Sequence, residues 1–206
     1  MAGKFIVIEG LDGAGKTTHA ALLAEYLSAK GIDVVRQAEP TDGAYGRACR
    51  EALAGKTCPK TQLAMLFTMD RIDHNLRPDD GIETLLAAGK TVLCDRYYYS
   101  TLAYQGLDVG TDWLAALNLG CPDIRKPDLC VFMDLAPAVS MARIHKARDD
   151  SQIEIYENEA SLTRIRERFH EVLRLLPEEN IAYIDCDADK PTVQTRIRAV
   201  VDPLYE

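Results

Sequence analysis

The chain has 206 residues, 47% of them hydrophobic and 27% charged, which is ordinary globular usage and enough length to bury a core without disulfides or a structural metal. Lys plus Arg is 24 and Asp plus Glu is 32, a net charge of −8. That balance speaks against general binding to nucleic acid or an anionic membrane, since both need a cationic face; a small phosphorylated ligand needs only local positive charge.

From the start of the chain, residues 5–9 form a short apolar run, too short for a signal peptide. A glycine-rich loop follows, then a helical pattern over 16–30 with Ala20, Leu23, Ala24 and Leu27 on one stripe and Gly31 as its stop. A second apolar run covers 32–36. Helical patterns follow near 44–54, 60–76 and 79–88, with Pro78 separating the last two and Gly89 closing the last. The third run, 91–95, leads into helices near 99–106 and 111–119. The fourth, 129–134, precedes helices near 137–147 and 157–175, and the fifth, 181–185, precedes one near 191–201. The runs are apolar on consecutive positions and rich in Val, Ile and Leu, as strands covered on both faces require. Strand and helix in alternation predict an α/β fold with a five-stranded parallel sheet and helices on both faces. No apolar run approaches the roughly 20 residues of a membrane span, and a cytoplasmic location is expected. The six cysteines, Cys49, Cys58, Cys94, Cys121, Cys130 and Cys186, make no C-x-x-C pair and read as reduced thiols, with Cys94 and Cys130 inside strands.

Ligands of such sheets bind beyond the carboxyl ends of the strands. There Gly10-Leu11-Asp12-Gly13-Ala14-Gly15-Lys16-Thr17 fits G-x-x-x-x-G-K-[ST] between a strand and a helix, a nucleoside triphosphate cradle. Its backbone N–H groups and the helix N-terminus face phosphate oxygens. Lys16 is expected on the β and γ phosphates and the Thr17 hydroxyl on Mg²⁺. Asp95, at the end of the 91–95 run, is the expected second metal residue, and Arg96 the expected partner of the phosphoryl group in transfer.

The acceptor is suggested by resemblance. Phe5-Ile6-Val7-Ile8-Glu9 with the loop and Thr17-Thr18 resembles the opening of thymidylate kinases. Glu39-Pro40-Thr41-Asp42 resembles their Glu-Pro turn, and Leu66-Phe67-x-x-Asp70-Arg71 their base-binding helix. Asp95-Arg96-Tyr97-x-x-Ser100-x-x-Ala103-Tyr104-Gln105-Gly106 is similar to their most diagnostic segment. Lys126-Pro127-Asp128-Leu129 and Glu154-Ile155-Tyr156-Glu157 continue the match. The resemblance implies one P-loop nucleoside monophosphate kinase domain over residues 1–206, with a lid near 143–156. It implies ATP as donor, Mg²⁺ as cofactor, dTMP as acceptor and a homodimer. Gly10, Gly13, Ala14, Gly15, Lys16, Thr17 and Thr18 would hold ATP. Phe67 would stack on thymine, with Arg71 one turn later on the same face to meet a base carbonyl. Asp12 would take the sugar hydroxyl, while Ser100, Tyr104 and Gln105 line the pocket and Arg96 touches both substrates.

One version of the family carries an arginine just after the loop acid, where this chain has Gly13. A cation is therefore expected from Arg143, Lys146 or Arg148, ahead of the breaker-rich Asp149-Asp150-Ser151-Gln152. Arg148 is the first choice for the transition state, and Arg143 is better placed to stack on adenine. Many members carry Arg before Glu-Pro; here it is Ala38, and Arg47 or Arg50 are the candidates to replace it. His74 and His145 have no partner acid at an obvious spacing and read as surface or packing residues. Two other readings remain at this stage: a related kinase for dUMP or a deoxynucleoside, and a nucleotide-dependent switch without an acceptor.

Overall fold

The structure, a computed structural model, describes residues 3–55, 58–147 and 158–206. Its sheet holds five parallel strands in the order β2-β3-β1-β4-β5. These are β1 Phe5–Gly10, β2 Val34–Ala38, β3 Thr91–Asp95, β4 Leu129–Asp134 and β5 Ile181–Asp185. Alternate residues of the central strands serve different layers. Phe5, Val7, Cys130 and Phe132 pack with α3 (Lys60–Leu76), α5 (Tyr98–Tyr104), α7 (Thr111–Leu119) and α9 (Glu159–Arg174). Ile6, Ile8, Val131 and Met133 pack on the other face with α1 (Lys16–Ala29) and α10 (Lys190–Val201). This is the predicted three-layer α/β fold, and no described helix is long and apolar enough to cross a membrane.

The strand order places the site. β1 is central, β3 lies on one side and β4 on the other, so the chain order reverses about β1 and opens a crevice beyond its carboxyl end.

β3, β4 and β5 keep their expected bounds, but β2 starts two residues later than the apolar run. The Ile32 amide is taken by the end of α1, donating to the Leu27 carbonyl at 3.1 Å, with Gly31 at φ 80°. That is a left-handed helix stop, and it delays the strand. β2 then runs on through Gln37 and Ala38, because β3 pairs there with Cys94 and Asp95. α4 spans only Ile82–Ala87; residues 78–80 form a turn instead of joining it. The helix expected over 99–106 divides at Gln105 into α5 and α6 (Gly106–Val109). α2 is Ala44–Leu53 and α8 is Pro137–Ala147. Caps account for two starts: Asn158 accepts the Ser161 amide ahead of α9, and Asp189 accepts the Thr192 amide ahead of α10.

Tyr97, Tyr98 and Tyr99 are wholly buried. The Tyr98 and Tyr99 hydroxyls both donate to the Glu179 carboxylate, fastening the start of α5 to the turn before β5. Cys94 and Cys130 are buried thiols as expected, and burial pushes Cys49 and Cys186 up to about 12.

Phe169 on α9 stands between Phe132, at 5.2 Å between ring centroids, and Tyr104, at 6.0 Å. Phe169→Ala removes the backing of both rings. A loss of about 3–5 kcal/mol is expected in urea unfolding.

Candidate active site

The loop between β1 and α1 is shaped by its glycines. Gly10 has φ 142°, and a Cβ there would lie 2.5 Å from the Met133 carbonyl oxygen. Gly13 has φ 77°, and its Cβ would lie 2.7 Å from the Ser140 carbonyl oxygen. Neither position accepts a side chain. The second contact gives a physical reason for the absent loop arginine: α8 closes down on that position.

Lys16 opens α1 and is buried. Its ammonium donates to the Gly10 and Leu11 carbonyls at 3.1 and 2.9 Å and stands 3.6 Å from Asp12. Burial, helped by the nearby Arg96 charge, pushes Lys16 below the ordinary lysine range. One residue on, the Thr17 hydroxyl donates to Asp95 Oδ2 at 2.8 Å. β1 and β3 are paired with Ile8 beside Asp95, and this register joins the two halves of the cradle. Among the described residues, no three His, Cys, Asp or Glu side chains gather into a metal cage. The hydroxyl and carboxylate of Thr17 and Asp95 are nevertheless hard oxygen donors of the kind Mg²⁺ takes, with the rest of its shell left to phosphate and water.

Arg96 follows with φ 69°, the one positive φ among the described non-glycine residues. Several contacts hold it in that sparsely occupied region. Its amide donates to the Ile8 carbonyl at 3.0 Å, and its guanidinium donates to Asp12 at 2.5 Å and Ser100 Oγ at 3.0 Å. The guanidinium also lies 5.3 Å from the Tyr104 ring centroid. Burial works against its charge, but Asp12 and the other neighbours hold its pKa well above the ordinary arginine value.

Beneath Arg96 lies Glu9, wholly buried at the end of β1. Its carboxylate accepts the Tyr97 amide at 2.8 Å, the Ser100 amide at 3.0 Å and the Ser100 hydroxyl at 2.7 Å. It thereby caps the first turn of α5 from a distant part of the chain. Burial raises its pKa, against the Arg96 charge and these hydrogen bonds. An acid closing an apolar strand was the visible signal; the capping role was not readable.

The predicted acceptor residues come together. Asp12, Phe67, Arg71, Arg96, Ser100, Tyr104 and Gln105 all border one cavity of about 260 Å³. α3 supplies Phe67 and Arg71 four residues apart, and α5 supplies Ser100 and Tyr104. Arg71 is almost wholly committed: it donates to Glu39 at 2.7 Å, Asn118 at 2.6 Å and Thr101 at 3.3 Å. Its Nε is buried and has no partner among the described residues. That is an unused donor on a residue of the cavity wall.

α3 also fixes the Glu-Pro turn from both sides. Asp70 accepts the Thr41 amide and hydroxyl at 2.7 and 2.6 Å, while Arg71 holds Glu39 across Pro40. His74 corrects the expectation that it lacks a partner acid. It is wholly buried, with one ring nitrogen 2.9 Å from Glu39 and the other 2.9 Å from Gln37. Its acid is 35 residues away in sequence, beyond any local pattern. Asn118 is thus a supporting residue that sequence reasoning missed, while Asp70 and His74, both noticed there, make contacts it did not foresee.

Of the expected lid cations, Arg143 donates to the Cys186 carbonyl at 3.0 Å and Lys146 is exposed on the last turn of α8. Arg148 and the expected lid end at 154–157 lie outside the described residues. α8 is tied to the loop by the Ser140 hydroxyl, which donates to the Asp12 carbonyl. Arg47 donates to the Asp42 carbonyl, and Arg50 to the Pro40 carbonyl and the Asp42 carboxylate; Arg50 borders the acceptor cavity.

Comparison with known proteins agrees with this geometry. The family model for thymidylate kinase matches residues 8–197. A probable thymidylate kinase of Methanococcus aeolicus is 34% identical over 206 residues, covering 98% of this chain and 96% of the relative. One from Thermococcus kodakarensis is 37% identical over 213 residues, covering 97% and 98%. A thymidylate kinase of Desulfotalea psychrophila is 38% identical over 150 residues, covering 72% and 71%.

The depressed Lys16 pKa has a measurable consequence. A triphosphate brings negative charge to the ammonium and raises its pKa again, so binding at alkaline pH takes up protons. Calorimetry of ATP binding in buffers of different ionisation enthalpy is expected to show that uptake, and Lys16→Met to abolish it. Identical heats across buffers would mean Lys16 is fully charged before ATP arrives.

Proposed function

The chain belongs to the thymidylate kinase family, and on that premise we propose that it moves the γ-phosphoryl group of ATP, with Mg²⁺, onto dTMP. It is a phosphotransferase. The bond from the γ phosphorus to the β–γ bridging oxygen breaks, and a bond from an acceptor phosphate oxygen to that phosphorus forms, giving ADP and dTDP. The observation that carries the reading is the single cavity that joins Phe67, Arg71, Tyr104 and Gln105 to Asp12 and Arg96 beside the phosphate loop. A switch without an acceptor has no use for that wall.

In this reading each side chain has one task. The loop amides and Lys16 hold the β and γ phosphates, and Lys16 exchanges its carbonyl partners for phosphate oxygens. Mg²⁺, when bound, supplies charge that neutralises the β and γ phosphate oxygens, and Thr17 and Asp95 are the residues that would hold it. Arg96, already poised between Asp12 and Ser100, stabilises the charge on the group in transfer. Phe67 stacks on thymine and the Arg71 guanidinium meets a base carbonyl. The Tyr104 ring lies against the sugar, where it leaves no room for a 2′-hydroxyl, and Asp12 accepts from the 3′-hydroxyl. Gln105 offers a donor and an acceptor to the pyrimidine edge. No general base is required, because the acceptor oxygen is already anionic and transfer is largely dissociative. The chain acts as one nucleoside monophosphate kinase domain in the cytoplasm. A lid near 143–156 brings Arg143 to the adenine side and Arg148 toward the transferring group.

The homodimer belongs to the same proposal. Met65, Met69 and Leu76 on α3, with Tyr45 on α2 and Trp113 on α7, are large apolar side chains left exposed. On α3 they recur at spacings of four and seven, which makes one stripe. Covering that stripe with a second copy removes apolar surface from water.

Two measurements test the reading. Coupled detection of ADP with Mg-ATP and a panel of dTMP, dUMP, dCMP, dGMP, AMP and thymidine is expected to show turnover with dTMP far above the rest, lost in Lys16→Ala. Equal turnover with dUMP would mean that the thymine methyl is not read, and ATP binding without any acceptor turnover would favour a switch. Light scattering after size exclusion is expected to give a dimer, and Met69→Glu with Leu76→Glu a monomer. A monomeric parent protein would sink the dimer.

A further inference from the structure

We propose that Arg36 binds the phosphate group of the acceptor nucleotide across a cavity that Ala38 leaves open beside the reaction centre. The inference deepens the kinase reading and rests on it. A second cavity, of about 430 Å³, lies on the far side of the Glu-Pro turn from the base pocket, and Pro40 borders both. Thr17 and Asp95 form part of its wall, so it meets the metal end of the phosphate cradle. Arg36 and Ala38 of β2 also face it.

Strand geometry sets the reach. Residues two apart on a strand share a face, and Arg36 and Ala38 do so here. The register pairs Arg36 with Leu93 and Ala38 with Asp95. The Arg36 backbone therefore sits about 6.6 Å behind the level of Asp95, two residues at about 3.3 Å each. An extended arginine side chain covers that distance, and the next residue of the same strand face, Ala38, carries no more than a methyl group.

Charge accounting singles out Arg36. Arg77 faces the same cavity but is paired with Asp80 at 2.9 Å. Asp42 is paired with Arg50 at 2.9 Å. His74 is held by Glu39 and Gln37, and Asp95 accepts from Thr17 and faces the metal position. Arg36 is exposed and makes no hydrogen bond or ion pair with any described residue. An unpaired surface arginine is most often only solvated. This one borders a cavity whose opposite wall is the site of phosphoryl transfer. Arg47 borders neither cavity and donates to the Asp42 carbonyl, and Arg50 borders the base pocket but not this cavity. A guanidinium offers two parallel donors to a phosphate. Arg36 would hold the acceptor's phosphate so that its free oxygen points at the γ phosphorus.

The test compares dTMP, which has the phosphate, with thymidine, which lacks it, and with ATP. Affinities are measured for the wild type, Arg36→Ala, and Arg36→Ala combined with Ala38→Arg. In Arg36→Ala, dTMP binding is expected to weaken about tenfold, as losing a charge-assisted hydrogen bond does, while thymidine and ATP affinities and the melting temperature hold. The double variant is expected to recover dTMP affinity, because residue 38 faces the same cavity and stands level with Asp95. Unchanged dTMP affinity would overturn the proposal, as would equal weakening of dTMP and thymidine, weakening of ATP alone, or no recovery in the double variant. Failure of the wild type to turn over dTMP would count against the kinase reading itself. Wild-type turnover with an unaffected Arg36→Ala would count against Arg36 alone.

Discussion

One buried carboxylate organises the reaction end of the molecule. Glu9 closes the central strand with no exposure and takes both backbone and side-chain donors of the segment that follows β3. A buried charge is costly unless it is hydrogen-bonded, so the carboxylate and the first turn of α5 stabilise each other. That one arrangement sets where α5 starts, which in turn sets where Ser100 and Tyr104 face. It also supports the left-handed backbone of Arg96. Removing the carboxylate would leave three donors without partners and loosen the setting of Arg96.

The cations of the site are paired in advance. Lys16 rests on the carbonyls of its own loop, Arg96 on Asp12, and Arg71 on Glu39. Buried charges cannot wait alone, because desolvation outweighs anything water could return. Each intramolecular partner keeps a cation ionised and aimed until a phosphate or base replaces or joins it. The Arg71–Glu39 pair is the most enclosed of these, with side chains 1% and 2% exposed. The Arg96–Asp12 pair is more open, at 20% and 25%.

One helix, α3, ties together the wall of the cavity. Phe67, Asp70, Arg71 and His74 lie within two turns of one helix, and three of them reach the turn around Pro40. The helix therefore presents Phe67 to the cavity and at the same time locks the opposing wall. The loop and α8 are coupled likewise, through Ser140 on Asp12 and the close approach of Ser140 to Gly13. α8 and the loop acid beside Arg96 are thus held together directly.

Contiguous chemistry was legible in the chain. The loop 10–17 reads as a phosphate cradle because its function lies in successive backbone amides. The segment 95–105 reads as an acceptor wall because a helical turn brings Ser100 and Tyr104 together. Phe67 and Arg71 are legible for the same reason. Three strands kept their predicted bounds because their apolar residues face two layers, and β2 moved because Gly31 spends Ile32 on a helix stop. What the tertiary structure alone decided are contacts between residues far apart in the chain. Glu9 meets Ser100 across 91 residues, Arg71 meets Asn118 across 47, and His74 meets Glu39 across 35. The open space before Arg36 belongs with these, since its wall comes from α1, β2, α3 and β3. Such pairings depend on the order in which parallel strands lie side by side, and hydrophobic periodicity within each strand carries no record of its neighbour.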